Sequence, residues 1–309
     1  MKQFAHTILF TLLLFTGISC QRDTLSGDDY IDPKQNNNAN HIEGISTIGN
    51  NIMPEEITRL EFPKIKGGNS IIVVHRTELN QRTNEKGMNY AIEWDTEKKA
   101  QRWSCYELYE SIGQFYNKKR YKGKPQYPFD EDMPSRFQFN DDPYWRSGYD
   151  HGHICPSADR RASRKAEKQT FFLTNMQPQL HHFNAGVWEN MEEQLRNWNN
   201  PSYCDTLYIC KGGTIDSEDK IIGRIHGELI IPKYFFMAVL CKNKEGYKAL
   251  GFWVKHENNN DNDLAKYVVN IKELEKLTGI DFFCNLPDYI ERRVESLPVD
   301  KVKAVWGIE

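Results

Sequence analysis

The sequence predicts an α+β domain: a mainly antiparallel β-sheet core with flanking helices. Short segments rich in β-branched and aromatic residues recur along the chain, and several are separated by only a few turn-forming residues, as in hairpins. Amphipathic helical patterns are interspersed among them rather than alternating regularly with them. No glycine-rich phosphate loop or dinucleotide fingerprint is present, so a doubly wound parallel sheet is not indicated.

The 309 residues are 39% hydrophobic and 12% aromatic, enough to build a packed core and too apolar for a disordered chain. Lys plus Arg number 40 against 43 Asp plus Glu, for a net charge of −3. The uniform positive field that marks many nucleic-acid binders is therefore absent.

Met1 and Lys2 precede an apolar run from Ile8 to Phe15, followed by Gly17-Ile18-Ser19-Cys20. That run is too short to cross a bilayer, which takes about 20 residues. Residues 1–19 resemble a bacterial lipoprotein signal, with cleavage before Cys20 and a lipid on its sulfur, and plain secretion is the alternative. The expectation is an exported protein held at the membrane through Cys20, periplasmic or surface-facing. Residues 20–58, rich in Asn, Asp and Gly, read as a flexible tether, and residues 59–309 as a single domain. Six further cysteines, Cys105, Cys155, Cys204, Cys210, Cys241 and Cys284, are free to pair after export. Cys204 and Cys210 cannot pair with each other if they share a strand, which would hold them about 20 Å apart. No CxxC pair suggests a cysteine zinc site.

Within the domain, strands are expected at Ser70–Val74, Tyr90–Trp94, Gln101–Tyr106, Thr170–Thr174, Thr206–Cys210, Tyr234–Cys241 and Tyr247–Val254. Asp95–Lys98 and Lys242–Gly246 read as hairpin turns. Leu264, Tyr267, Val268, Ile271, Leu274 and Leu277 have helical spacing, opened by Asp261 or Asn262 and stopped by Gly279. A second helix starts near Pro287, and a third covers Ala185–Trp198.

The chemistry-bearing stretch runs from Ser147 to Arg160 and contains Asp150-His151-Gly152-His153. It is followed by Asn175-Met176-Gln177-Pro178-Gln179, then Asn184, Trp188, Glu192 and Arg196. In this order and spacing the elements resemble the DNA/RNA non-specific endonuclease family, with its DRGH-type sequence, N-x-x-P-Q stretch, and Asn, Trp, Glu and Arg near one helix. The resemblance is tightest over residues 147–196. It implies a ββα-metal site, one Mg²⁺ or Mn²⁺ ion, DNA and RNA as substrates and 5′-phosphate products. It also implies His153 as general base, Asn184 as direct metal ligand, Glu192 as support for a metal-bound water and Arg196 as phosphate contact, with Asn175 and Gln179 in supporting places.

The residue types suit that chemistry. Phosphodiester hydrolysis needs a base for water and a cation for the charge gathering on phosphoryl oxygens. An imidazole is largely neutral at physiological pH, and a hard cation that keeps its waters needs few protein oxygens. At about 100° per residue, Asn184, Glu192 and Arg196 follow one edge of a helix whose apolar arc holds Val187, Met191, Leu195 and Trp198. Trp188 reads as core rather than as a platform for a base. Asn184 could also serve as a helix N-cap, and Asp150 as a turn former or an orienting group.

One position departs from the family pattern: His151 stands where DRGH has Arg. Weaker substrate binding or a lower pH optimum is expected, with Arg136 and Arg160 as compensating cations. Arg160, Arg161, Arg164, Lys165 and Lys168 read either as a solvated loop or as a basic rim tracking phosphates. His151 and His153, on one face of a strand, could form half a zinc site if His181 or His182 folded back. Two other functions compete with a nuclease. One is a catalytically weakened surface lipoprotein of the same fold that only binds nucleic acid, and the other is a hydrolase of a different phosphodiester.

Overall fold

The computed structural model describes residues 34–41, 53–117 and 119–309. The expected signal segment, Cys20 and most of the expected tether lie outside them.

Eleven strands and five helices are present among the described residues. In chain order they are β1 (Ser70–Asn80), β2 (Glu85–Asp95), β3 (Ala100–Leu108), β4 (Asp150–His153), α1 (Arg164–Gln169), β5 (Met176–Gln179), α2 (Glu189–Trp198) and β6 (Thr206–Gly213). There follow β7 (Ile221–Ile225), β8 (Leu229–Pro232), β9 (Tyr234–Asn243), β10 (Gly246–Lys255), β11 (Val268–Val269), α3 (Ile271–Thr278), α4 (Asp288–Glu295) and α5 (Val299–Trp306). Seven strands make one antiparallel sheet in the order β1-β2-β3-β6-β9-β10-β11, and the pairs β4-β5 and β7-β8 stand apart from it. The α+β expectation is met.

The sheet is covered on both faces, which explains why β9 is an unbroken apolar run instead of an alternating one. Phe235, Met237 and Val239 face one core with Val187, Met191 and Leu195 from around α2. Phe236, Ala238 and Leu240 face a second core with Ile271 and Leu274 of α3 and Val294 of α4. Its hairpins close by local chemistry. Asp95 accepts the Glu97 and Lys98 amides after β2, and Gly246 takes a φ of 120° between β9 and β10.

Two expected elements differ. Thr170–Thr174 is not a strand: Ser163 caps α1 by accepting from Lys165 and Ala166, and the chain leaves the helix in further turns, with Thr170 bonded back to Glu167. The strand begins only at Met176, so composition was overridden by the cap. The pattern from Leu264 to Leu277 is broken into a short helical turn, Leu264–Tyr267, then β11, then α3. Val268 and Val269 pair with Phe252 and Gly251 at the sheet edge, and Asn270 caps α3 in place of Asp261 or Asn262. Gly279 ends α3 in the left-handed region, as read, and α4 starts after Pro287.

Cys204 and Cys241 form a disulfide, with Cα atoms 5.8 Å apart, and Cys105, Cys155, Cys210 and Cys284 are buried free thiols. Part of the segment expected to be a tether is bound to the body. Asn37 bonds Asp288, Asn38 bonds Asp281 and Glu291, and the buried Asn40 bonds the Ile57 and Pro63 carbonyls.

Candidate active site

β4 and β5 pair antiparallel, with Asp150 opposite Gln179 and His153 opposite Met176, and the chain then turns into the helical segment leading to α2. A cleft of about 490 Å³ opens over this strand-strand-helix unit. His151, His153, Arg161, Asn184, Glu192 and Arg196 all line it. Six of the eight expected site residues thus come together.

Gly152 is required between the two histidines. A Cβ there would lie 2.2 Å from Cδ of Gln179, a residue buried on the neighbouring strand. Asn175 fixes the far end of β4 by accepting from the Cys155 amide and donating to the Cys155 and Thr170 carbonyls.

His153 is half-buried and its ring meets Phe171 edge-on at 4.8 Å. Its Nε2 is fully covered and has no hydrogen-bond partner. The ring bonds the His151 backbone, by elimination through Nδ1–H, so Nε2 carries the lone pair. Removal from water, with positive charge on Arg120 and Lys211, lowers its pKa to about 3 against the His151 bond. The imidazole is neutral at physiological pH.

Asn184 is not an N-cap. It lies in a wide helical segment, Phe183–Trp188, kinked at Gly186, and its amide nitrogen donates to Asp150 at 3.0 Å. This leaves Oδ1 without a partner among the described residues. A Cβ on Gly186 would sit 2.3 Å from the Asn259 carbonyl oxygen, so the kink needs glycine. The uniform helix assumed from the sequence is therefore absent, although Asn184, Glu192 and Arg196 still share one cleft. Asp150 is a positioning residue, holding Asn184 and the exposed His181, whose Nδ1 is 2.9 Å away. His256 sets the turn before them by accepting the Leu180 amide through Nε2 and donating Nδ1–H to the Pro232 carbonyl.

On α2, Glu192 receives a 2.5 Å bond from the wholly buried Lys211, whose ammonium also lies 4.5 Å from the Trp188 ring centre. Burial raises the Glu192 pKa, and Lys211 is the main influence against it. Trp188 is core, as read. Arg196 is steadied by the buried Asp159 at 3.1 Å.

Two expected substrate contacts, Arg136 and Arg160, do not line the cleft. Arg160 is 1% exposed, lies over the Tyr106 ring and bonds the Asp159, Asn89 and Glu107 carbonyls, so it supports the core. Arg136 is exposed but stacks on Phe137 and does not line the cleft. The basic rim is likewise mostly neutralised: Arg164 pairs with Glu167, Lys165 with Glu78 and Lys168 with Glu131. Arg161 remains in the cleft, 3.7 Å from Glu167. Arg120, unnoticed in the sequence, joins it there. Its guanidinium lies over Phe171 at 5.2 Å with no ion pair or hydrogen bond among the described residues.

Residues 67–289 match the family model for DNA/RNA non-specific endonuclease. The chain belongs to that family. Among curated proteins, it is 27% identical over 213 residues to the mitochondrial nuclease EXOG of Xenopus laevis, covering 64% of this chain and 58% of the relative. A nuclease of a Nostoc species is 28% identical over 219 residues, covering 67% and 75%. Human mitochondrial endonuclease G is 30% identical over 155 residues, covering 46% and 51%. The chain thus spans little more than half the length of two of these relatives. The fold resembles that of a chain in the crystal structure of the EndoG/EndoGI complex, with a TM-score of 0.53 at 21% identity, covering 63% of this chain and 83% of that one.

In this endonuclease-family chain, the described group of His, Cys, Asp or Glu side chains with metal-binding spacing is His75, Asp130 and Asp132, within 4.8 Å of one another. His151 and His153 are not part of it. Asp130 is already engaged by His75 at 2.8 Å and by Thr174, and none of the three lines the cleft.

Proposed function

We propose that this chain is a divalent-cation-assisted endonuclease that hydrolyses phosphodiester bonds of DNA and RNA without sequence preference, using His153 as general base. The observation that carries this reading is the unpartnered, neutral Nε2 of His153 in the same cleft as the free Oδ1 of Asn184. Asn184, with its nitrogen committed to Asp150, and Glu192, with Oε2 unengaged, are hard oxygen donors that suit one Mg²⁺ or Mn²⁺ ion with its waters. Such a cation, when bound, neutralises charge developing on the phosphoryl and leaving oxygens.

The chain's own part follows from its geometry. His153 Nε2 accepts a proton from water, while Nδ1–H, held by the His151 backbone, keeps the ring in the required tautomer. The water oxygen bonds to phosphorus as the bond to the 3′ oxygen breaks. Arg196, Arg161 and Arg120 meet phosphate oxygens, contacts that carry no base information. His151 is not among these cations: its Nε2 is taken by Asp142 at 3.0 Å, and burial lowers its pKa.

Nicking of supercoiled plasmid tests the proposal. Cleavage in Mg²⁺ and none in EDTA is expected. Binding without cleavage in either would favour the weakened binder, and turnover of bis(4-nitrophenyl) phosphate but neither DNA nor RNA would favour another phosphodiesterase. Arg120→Ala should raise KM about tenfold with little change in kcat, the loss of one charged hydrogen bond. An unchanged KM would remove Arg120 from the substrate path.

Export with a lipid on Cys20 is part of the same proposal, and the Cys204–Cys241 disulfide supports an oxidising compartment. Cells making the protein should incorporate labelled palmitate into it, and Cys20→Ser should not. Equal labelling of the two would overturn the anchor.

A further inference from the structure

His151 borders the cleft and also anchors the turn Pro143–Arg146. Its Nε2 lies 3.0 Å from both carboxylate oxygens of Asp142, and its ring is sandwiched between Tyr127 at 3.8 Å and the buried Tyr144 at 4.2 Å. Asp142 Oδ1 also accepts the Tyr144 amide at 3.0 Å. The turn closes through the Trp145 amide to the Asp142 carbonyl and the Ser147 amide to the Tyr144 carbonyl, while the Trp145 carbonyl is held by His226 at 3.1 Å. The side chain where the family pattern has a cation has become the fixing point of a turn.

What that turn presents is unusual for a protein surface. Trp145 is 70% exposed, the largest value among the exposed large hydrophobic residues. Arg146 adopts a φ of 55°, rare for a residue with a Cβ, and its guanidinium lies 5.5 Å from the Trp145 ring centre. It has no ion pair or hydrogen bond among the described residues. A pinned backbone holding out an aromatic face beside an unpaired cation matches a nucleobase with its neighbouring phosphate. Every base offers a π-face, so such a contact is sequence-tolerant.

We propose that Trp145 and Arg146 form a subsite for single-stranded nucleic acid, joined to the cleft through Tyr144 and His151, with Trp145 stacking on an unpaired base and Arg146 meeting an adjacent phosphate. The ligand class rests on the nuclease reading of the cleft. A base within an intact duplex has both faces covered by its neighbours, so the subsite favours single-stranded or frayed substrate.

Fluorescence anisotropy tests this on the full chain carrying His153→Ala, whose slowed cleavage is expected to leave the probe intact over the measurement. The probes are labelled oligothymidylate about a dozen nucleotides long and a duplex of equal length. Adding Trp145→Ala should weaken oligothymidylate binding about tenfold, leave duplex binding within about twofold, and leave the melting temperature unchanged. Trp145→Phe should restore most of the affinity. Arg146→Gln should weaken the oligothymidylate complex and flatten its salt dependence by about one phosphate contact. The proposal is overturned if the parent does not bind oligothymidylate, if Trp145→Ala binds it as tightly, or if both probes weaken alike with a lower melting temperature. Because binding is read without catalysis, such a failure leaves the hydrolytic reading intact. A wild-type chain that binds but does not cleave sinks that reading and leaves the subsite standing.

Discussion

His153→Ala should lower kcat for DNA cleavage by about 10²–10⁴-fold, the range a positioned general base contributes, while circular dichroism and melting temperature stay close to wild type. The side chain donates to one backbone group and offers Nε2 to nothing, so its removal breaks no side-chain network. Only the cleft loses a function. The pH profile sharpens the test. An imidazole with its pKa lowered to about 3 stays neutral as pH falls from 8 to 5, so kcat/KM should show no histidine inflection near 6.5. Retained activity in the alanine variant would exclude His153 as base, and an inflection at the ordinary histidine value would show that the ring is hydrated in solution.

Lys211→Met should destabilise the protein by about 3 kcal/mol, seen as a melting temperature several degrees lower, and should impair cleavage as well. The ammonium is wholly buried, and its charge is what opposes protonation of Glu192 most strongly. Without it a mostly desolvated carboxylate lacks its cation. The Glu192 pKa, already raised, climbs further, so the carboxylate is lost at a higher pH and the acid limb of activity moves upward. The double variant Glu192→Gln, Lys211→Met should lose less stability than the two single changes added together, because each alone strands its partner. Additive losses would show that the pair is not coupled.

The residues of the cleft that were legible in the sequence share a property: they lie on short, continuous elements whose spacing is itself the signal. His151 and His153 are two apart on β4, and Asn184, Glu192 and Arg196 fall on the segment that runs into α2. Lys211 and Arg120 were illegible because sheet pairing and loop folding bring them in from distant positions with no local pattern. Arg160 was misread for a related reason. Beside a functional motif a charged residue looks solvated, yet the Tyr106 ring and three carbonyls take it into the core. At the level of fold, hairpins and helix stops were readable from turn chemistry. Val268 and Val269 fitted a helical period equally well, and only the open edge of β10 decides for a strand.

The asparagines at 37, 38 and 40 have a practical consequence. They bind Asp281, Asp288, Glu291 and the Ile57 and Pro63 carbonyls, on the side of the sheet covered by α3 and α4, whereas the cleft belongs to the side covered by α2. Residues 37–40 and the cleft therefore lie on opposite sides of the sheet. A bulky label seated on residues 37–40 would leave the cleft open to a long polymer.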